Sequence, residues 1–441
     1  MSENGPLRVG YVLADPELDL AGHEACRPQV EGAVRALREA GHEVSLVAVQ
    51  SGQVVLTDTG LGLQQFFEAA RCEASSDGDP VYRPSTLVSD ELLRFAQEER
   101  FPAGELTTSD LAFCAGRRLF RGCHLIHARL SAVDVGSALC ARALGTPLVV
   151  EVHTLPLVRS ETSSHDHPQE TARRLAGYAA TRALADAKAV VTVSNAIRDL
   201  LVSEWAIPPE RIAVILNGAD APPPTSEERV EQLRREYELC GRTTVVFVGD
   251  SEPWQGLDVL LEALVAVRAH HPEIVLLVVG EGRERGDVVE RALALGLADS
   301  VRFTSGIAPE LKRELLAVAD LAVITRLPGE PASSSAGILE LMASGKAIVA
   351  SREGQVSELL VDEQTALLVE PGNREELARA MERLLGEPDL RRRLGEHAKY
   401  LAKRDHSWTD YARQLTRVYE SVLDRSNGLQ GGEPASSDSG R

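Results

Sequence analysis

The sequence predicts an α/β protein of two doubly wound domains facing a cleft, and three observations carry that prediction. Short apolar strand runs alternate with helical stretches along most of the chain, the pattern of parallel sheets covered by helices. A proline run, Ala221-Pro222-Pro223-Pro224-Thr225, breaks the alternation into two series. The chain has 441 residues, 44% of them apolar, and a single core rarely grows beyond about 250–300 residues.

The first series opens with strand Leu7 to Leu13, a break at Gly22, the helical pattern Val30, Val34, Leu37, and a strand from Glu43 to Val49. From Ser51 to Leu119 the periodicity weakens, and an irregular insert is expected there. Alternation resumes with strand Cys123 to His127, helix Val133 to Leu144 and strand Pro147 to Val152. A long helix near Glu170 to Asp186, strand Ala189 to Val193, helix Ala196 to Trp205 and strand Ile212 to Leu216 follow. The first domain is thus 1–221.

The second domain, 226–403, repeats the alternation. Its strands are expected at Thr244 to Val248, Ile274 to Val279, Val301 to Thr304, Leu321 to Thr325, Ala347 to Ala350 and Ala366 to Val369, with helices between them and two more up to Leu401. An amphipathic stretch, Trp408 to Leu423, closes the fold, and a helix over 404–423 is expected to return to the first domain. The Gly/Ser-rich tail, 424–441, has no periodicity and is expected to be disordered.

A formal charge of -19 repels phosphate backbones and anionic lipid heads, which argues against nucleic acid as a partner. No run of 18 apolar residues occurs and no basic flank precedes an apolar run at the start, so no membrane span and a cytoplasmic location are expected. The six cysteines (Cys26, Cys72, Cys114, Cys123, Cys140, Cys240) show no CxxC spacing and read as reduced, buried thiols.

One segment carries chemistry. Gly337-Ile338-Leu339-Glu340-Leu341-Met342-Ala343 runs into the apolar strand at Ala347. Glycine and serine leave the N–H groups of the helix start open to an anion, while Glu340 can accept two hydrogen bonds from a vicinal diol. That outlines a nucleoside-diphosphate site.

Further motifs resemble the retaining glycosyltransferases of family 4, with two Rossmann-like domains in the GT-B architecture. Asn217-Gly218-Ala219-Asp220 resembles the family's NGVD motif, and Val193-Ser194-Asn195-Ala196 its VSxA element. The segment Gly249 to Asp258, with Trp254, is similar to G-x-x-x-x-W-H-G-L-D in the Trp-containing subgroup. Val279-Gly280-Glu281-Gly282 resembles the VGxG turn, Gly354 to Glu358 the late G-x-x-x-E, and Leu368 to Asn373 the L-V-x-P-G-D element. The resemblance covers the chain apart from the insert and the tail. It implies that Glu340 holds the donor ribose, that Gly22 lies near the donor phosphates, and that His153 contacts the transferred sugar. His153 and Glu340 are the candidate catalytic residues.

Four positions depart from the family pattern. The Arg and Lys that family members spend on the diphosphate are replaced by Asp250 and Gln255. Ala332 stands where a paired Glu is common, with Glu330 displaced by two, and Gly337 stands where the Trp subgroup often has Lys. A carboxylate about 4 Å from a phosphate oxygen costs on the order of 4 kcal/mol at an effective dielectric of 20, so Asp250 needs compensation. Ser333, Ser334, Ser335, the helix start at Gly337 and the guanidinium of Arg326 are the candidates, ahead of Arg283 and Arg285.

Other signals lead nowhere. Gly280-x-Gly282 lacks the third glycine and the acidic residue of a dinucleotide fingerprint. Asp77-Gly78-Asp79 reads as a turn, and His165-Asp166-His167 lacks a third metal ligand. The sequence therefore points to metal-independent transfer, without a cofactor, from a nucleoside-diphosphate sugar to a hydroxyl of a small-molecule or polyketide-like acceptor, and it leaves room for a homo-oligomer. The alternative is a catalytically degenerate protein of the same fold, serving as a partner subunit or sugar-phosphate binder.

Overall fold

The computed structural model describes residues 5–14, 26–50, 53–57, 107–131, 135–155, 177, 179–222, 224–249, 255–280, 285–304, 309–328 and 336–430. The chain forms two compact units. Unit 1 comprises Met1–Glu24, Ala33–Ile215 and Tyr411–Arg441, and unit 2 comprises Ala25–Gly32 and Leu216–Asp410.

Unit 1 is built on a seven-stranded sheet in the order β3-β2-β1-β4-β5-β6-β7. Its strands are β1 (Arg8–Ala14), β2 (Glu43–Gln50), β3 (Gln53–Thr57), β4 (Leu125–Arg129), β5 (Leu148–Val152), β6 (Ala189–Thr192) and β7 (Ile212–Val214). Six strands run parallel, and β3 pairs antiparallel with β2, Ala48 facing Val55. The irregular insert expected from Ser51 to Leu119 is corrected at both ends. It begins with β3 and ends with a 13-residue helix, Thr107–Leu119. The strand Gln53-Val54-Val55-Leu56-Thr57 is β-branched and adds to β2 through backbone bonds, a pairing that a search for strand–helix alternation misses.

Unit 2 contains a wholly parallel six-stranded sheet, β10-β9-β8-β11-β12-β13. These are β8 (Thr243–Val248), β9 (Ile274–Val279), β10 (Val301–Phe303), β11 (Leu321–Ile324), β12 (Ala347–Ser351) and β13 (Leu367–Val369). The sheet is buried on both faces, so its strands are continuous apolar runs. Val245, Phe247, Leu276 and Val278 pack into one core, while their neighbours Val246, Val275 and Leu277 pack into another. Each such side chain contributes roughly 1.5–3 kcal/mol by burial.

Local chemistry sets the helix starts. Ser194, Ser226 and Asn373 each accept a hydrogen bond from the N–H three residues on, at 3.1, 3.2 and 3.0 Å. The last helix, Trp408–Gln430, buries Tyr411, Ala412, Leu415, Tyr419 and Val422 at helical spacing. It continues to Gln430, which corrects the expected disorder from residue 424; residues 431–441 lie outside the described set. Cysteine burial is also corrected in part, since Cys140 is buried, Cys123 intermediate and Cys240 exposed.

Both sheets have a point where the strand order reverses, between β1 and β4 and between β8 and β11. In open α/β sheets ligands bind beyond the carboxyl ends of the strands at such points.

Candidate functional site

In unit 2 the carboxyl ends of β8, β9, β11 and β12 are tied together. After β8, the Gly249 N–H donates to the Val279 carbonyl at 3.1 Å. Thr325, just past β11, donates its hydroxyl to the Gln255 carbonyl at 2.6 Å. Gly256 follows in the left-handed region (φ 64°) and begins the helix Leu257–His270. A side chain at Gly256 would be strained and would press on Thr325 Cβ, 3.3 Å from a built Cβ. The Gln255 side chain lies over Gly249, in the space a β-carbon there would take. One residue further along, Arg326 donates its backbone N–H to Ser351 Oγ at 3.0 Å, and its side chain is half-buried.

The helix Ala336–Ser344 follows β11 and carries Gly337 and Glu340, both half-buried. Glu340 Oε2 accepts a hydrogen bond from Lys312 Nζ at 2.5 Å, with 29% of the lysine and 28% of the glutamate side chain exposed. Lys312 lies on the helix Pro309–Val318. The structure thus places a cation beside the carboxylate that the sequence singled out. Nothing in the motif pattern points to Lys312, which sits 28 residues upstream in an ordinary charged helix.

In unit 1, His153 follows β5 and is 5% exposed. Its Nε2 lies 3.0 Å from Glu151 Oε1, out of line for a formed hydrogen bond, and neither ring nitrogen has a hydrogen-bond partner among the described residues. Glu151 is the only charged residue of β5 and is 2% exposed. Its Oε2 accepts from the Tyr11 hydroxyl at 3.0 Å and from His127 Nε2 at 3.2 Å, and its Oε1 accepts from the Tyr411 hydroxyl at 2.8 Å. The Tyr419 hydroxyl lies 2.8 Å from His127 Nδ1.

Burial alone would raise the Glu151 carboxyl, but the adjoining His153 and the hydrogen bond from His127 outweigh it and hold the group well below the usual carboxylate range. Burial, aided by the charge of Arg129, lowers His153. Burial and the nearby Glu151 charge push Tyr11, Tyr411 and Tyr419 well above the ordinary phenol value, so all three keep their protons. An ionised carboxylate that accepts from the protonated phenols of Tyr11 and Tyr411 and from His127 Nε2 is the consistent reading of this cluster. Sequence reasoning passed over Glu151, Tyr11, His127, Tyr411 and Tyr419. The signal was there: Leu148-Val149-Val150-Glu151-Val152 and Leu125-Ile126-His127-Ala128 each put an ionisable group inside a buried strand.

Two family models match this chain, one described as glycosyl transferases group 1 over residues 230–400 and one as a glycosyl transferase 4-like domain over residues 25–218. A D-inositol 3-phosphate glycosyltransferase from Corynebacterium kroppenstedtii is 31% identical over 335 residues, 72% of this chain and 73% of that protein. The chain is a group 1 glycosyltransferase. The alpha-D-kanosaminyltransferase of Streptomyces kanamyceticus is 29% identical over 290 residues, covering 64% of this glycosyltransferase and 73% of its own length. Among solved structures, Anabaena HepE in complex with UDP and glucose matches with a TM-score of 0.68 at 20% identity, covering 94% of this chain and all of that one. That likeness concerns the fold, which is GT-B.

Of the expected site residues in this glycosyltransferase, His153, Arg326, Gly337 and Glu340 are described. Arg326, Gly337 and Glu340 fall in unit 2 and His153 in unit 1. Gly22, Ser333, Ser334 and Ser335 lie outside the described residues, as do Trp254, Asp250, Glu330 and Ala332. No described helix is long and apolar enough to cross a membrane.

Proposed function

We propose that this glycosyltransferase moves a sugar, with retention at the anomeric carbon and without a metal ion, from a nucleoside-diphosphate sugar to a hydroxyl of a small-molecule acceptor. The observation that carries the donor side is the half-buried pair of Glu340 and Lys312, next in the chain to a β11 end that presents Arg326. In this reading Glu340 accepts hydrogen bonds from the ribose diol, while Lys312 holds that carboxylate in place. Arg326, the N–H groups at Gly337 and the hydroxyls of Ser333, Ser334 and Ser335 take the diphosphate, with Gly22 near it. His153 faces the transferred sugar.

The relatives support the substrate class. HepE was solved with UDP and glucose, and relatives above are named for transfer of kanosamine or for D-inositol 3-phosphate. Catalysis of this kind rests on positioning and on stabilising the leaving diphosphate, with little demand on a side-chain nucleophile.

Calorimetry with UDP, GDP and ADP, then turnover assays with the corresponding sugars in the presence of a chelator, test the reading. Binding of one nucleotide, chelator-resistant turnover, product of unchanged anomeric configuration and loss of turnover in Glu340→Ala are expected. Absence of any nucleotide binding would favour the degenerate alternative.

A further inference from the structure

The buried cluster at β5 has a direction. Glu151 Oε1 accepts from the Tyr411 hydroxyl at 2.8 Å, and His153 Nε2 lies 3.0 Å from the same oxygen, close enough to feel its charge but without a formed hydrogen bond. Glu151 Oε2 is taken by Tyr11 and His127. His127 faces the carboxylate through Nε2, so in the neutral ring the proton sits there and Nδ1 accepts from Tyr419. The Tyr11 ring stacks on His127 at 4.7 Å and 11°, which fixes the imidazole plane. His127 is thus held by second contacts with Tyr419 and the Tyr11 ring, whereas the His153 ring has no hydrogen bond among the described residues. His153 is the open end of the network, 5% exposed and with both ring nitrogens buried and without a hydrogen-bond partner among the described residues. A buried nitrogen without a partner is costly, and a bound hydroxyl is one way to satisfy it.

We propose that Glu151 is a positioning residue for His153: its carboxylate fixes the ring orientation and draws the ring proton to Nε2, leaving Nδ1 to accept a hydrogen bond from a hydroxyl of the transferred sugar. This rests on the reading above that His153 faces that sugar. The groups bearing on the His153 charge are Glu151 on its own strand, and His127 and Arg129 on β4. Tyr11 on β1 and Tyr411 on the last helix act through Glu151, and Tyr419 of that helix acts through His127. Glu151 favours the charged imidazolium, while burial and Arg129 oppose it. Protonation would turn Nδ1 from acceptor to donor, so activity falls as the pH drops through the His153 pKa.

The test is Glu151→Gln in the full-length enzyme, read by kcat, donor KM and the pH profile. We expect kcat to fall about tenfold, the worth of one hydrogen bond, with donor KM unchanged. The acid limb of the profile should move to lower pH, because the charge favouring imidazolium has gone. Tyr411→Phe should move it the opposite way, since Oε1 is then left to His153 alone. A purely structural role for Glu151 would lower the melting temperature and the active fraction and leave the limb in place, which overturns the proposal. Ring ¹⁵N NMR, with His153→Asn as the difference spectrum, reads the tautomer without reference to activity. It should report Nε2–H in the wild type, and a wild-type ring protonated at Nδ1 overturns the proposal even where Glu151→Gln fails to fold. His153→Asn at full kcat would remove the sugar contact, while the tautomer measurement still decides the role of Glu151.

Discussion

The Tyr411 hydroxyl donates to the Glu151 carboxylate at 2.8 Å across 260 residues of chain. The last helix is therefore tied to β5, inside the unit 1 sheet, by a hydrogen bond to a buried charge, besides the burial of Leu415 and Val422. Such bonds contribute about 1.5–3 kcal/mol, more than a neutral pair. Tyr411→Phe should lower unfolding free energy by about that amount, measured by urea titration at pH 7. A change below a few tenths of a kcal/mol would mean that the carboxylate is satisfied without it.

Lys312 and Glu340 invite a paired test. If Lys312 holds the ribose-binding carboxylate, Lys312→Met should weaken nucleotide binding by about tenfold, and Glu340→Gln by more, since a charge-assisted hydrogen bond contributes about 1.5–3 kcal/mol. Calorimetric Kd values check this. Because each group is more than a quarter exposed, the fold itself should lose little, about 1 kcal/mol or less.

Acid should destabilise the protein before its carboxylates titrate. His42 accepts the Leu7 N–H at Nδ1 and so donates from Nε2 to Thr416 Oγ1, at 3.2 and 2.8 Å. Burial lowers the pKa of His42, His153 and His406 in the folded state. The unfolded chain, with an ordinary value of about 6.5, binds more protons, so this contribution is whole above about pH 6.5 and lost as the pH falls through the depressed values. Chemical unfolding at pH 7 and pH 5.5 should show the drop. In His42→Leu, stability should start lower and fall less.

Gly395, in the helix Pro388–Asp405, packs its α-carbon against the backbone of Gly345, and a β-carbon there would run into the Gly345 carbonyl oxygen. Gly345 itself has φ 75°. The obstacle is backbone on both sides, so Gly395→Ala should destabilise unit 2 by about 1–3 kcal/mol despite alanine's better helix propensity. Thermal unfolding of the variant checks it, and a rise in midpoint would contradict the packing argument.

Most of the strands were open to reading because parallel strands buried on both faces leave continuous apolar runs, as Ile274 to Val279 does. The edge strand Gln53–Thr57 was not, since backbone pairing with β2 and no helical crossover defines it. Glu340 stood out on its helix by residue type and spacing. Lys312, 28 residues upstream, did not, because a lysine in a charged helix has the same local pattern whether or not it meets a partner.

The amino-acid order by itself determined the α/β class, the two alternating series and the helix that brings Glu340 after β11, because periodicity and capping are local properties. Only the tertiary structure decided that Lys312 meets Glu340 and that Glu151 is surrounded by Tyr11, His127, His153 and Tyr411. A buried charge is tolerable only where distant strands and a returning helix converge on it with donors, and that convergence is a property of the folded sheet.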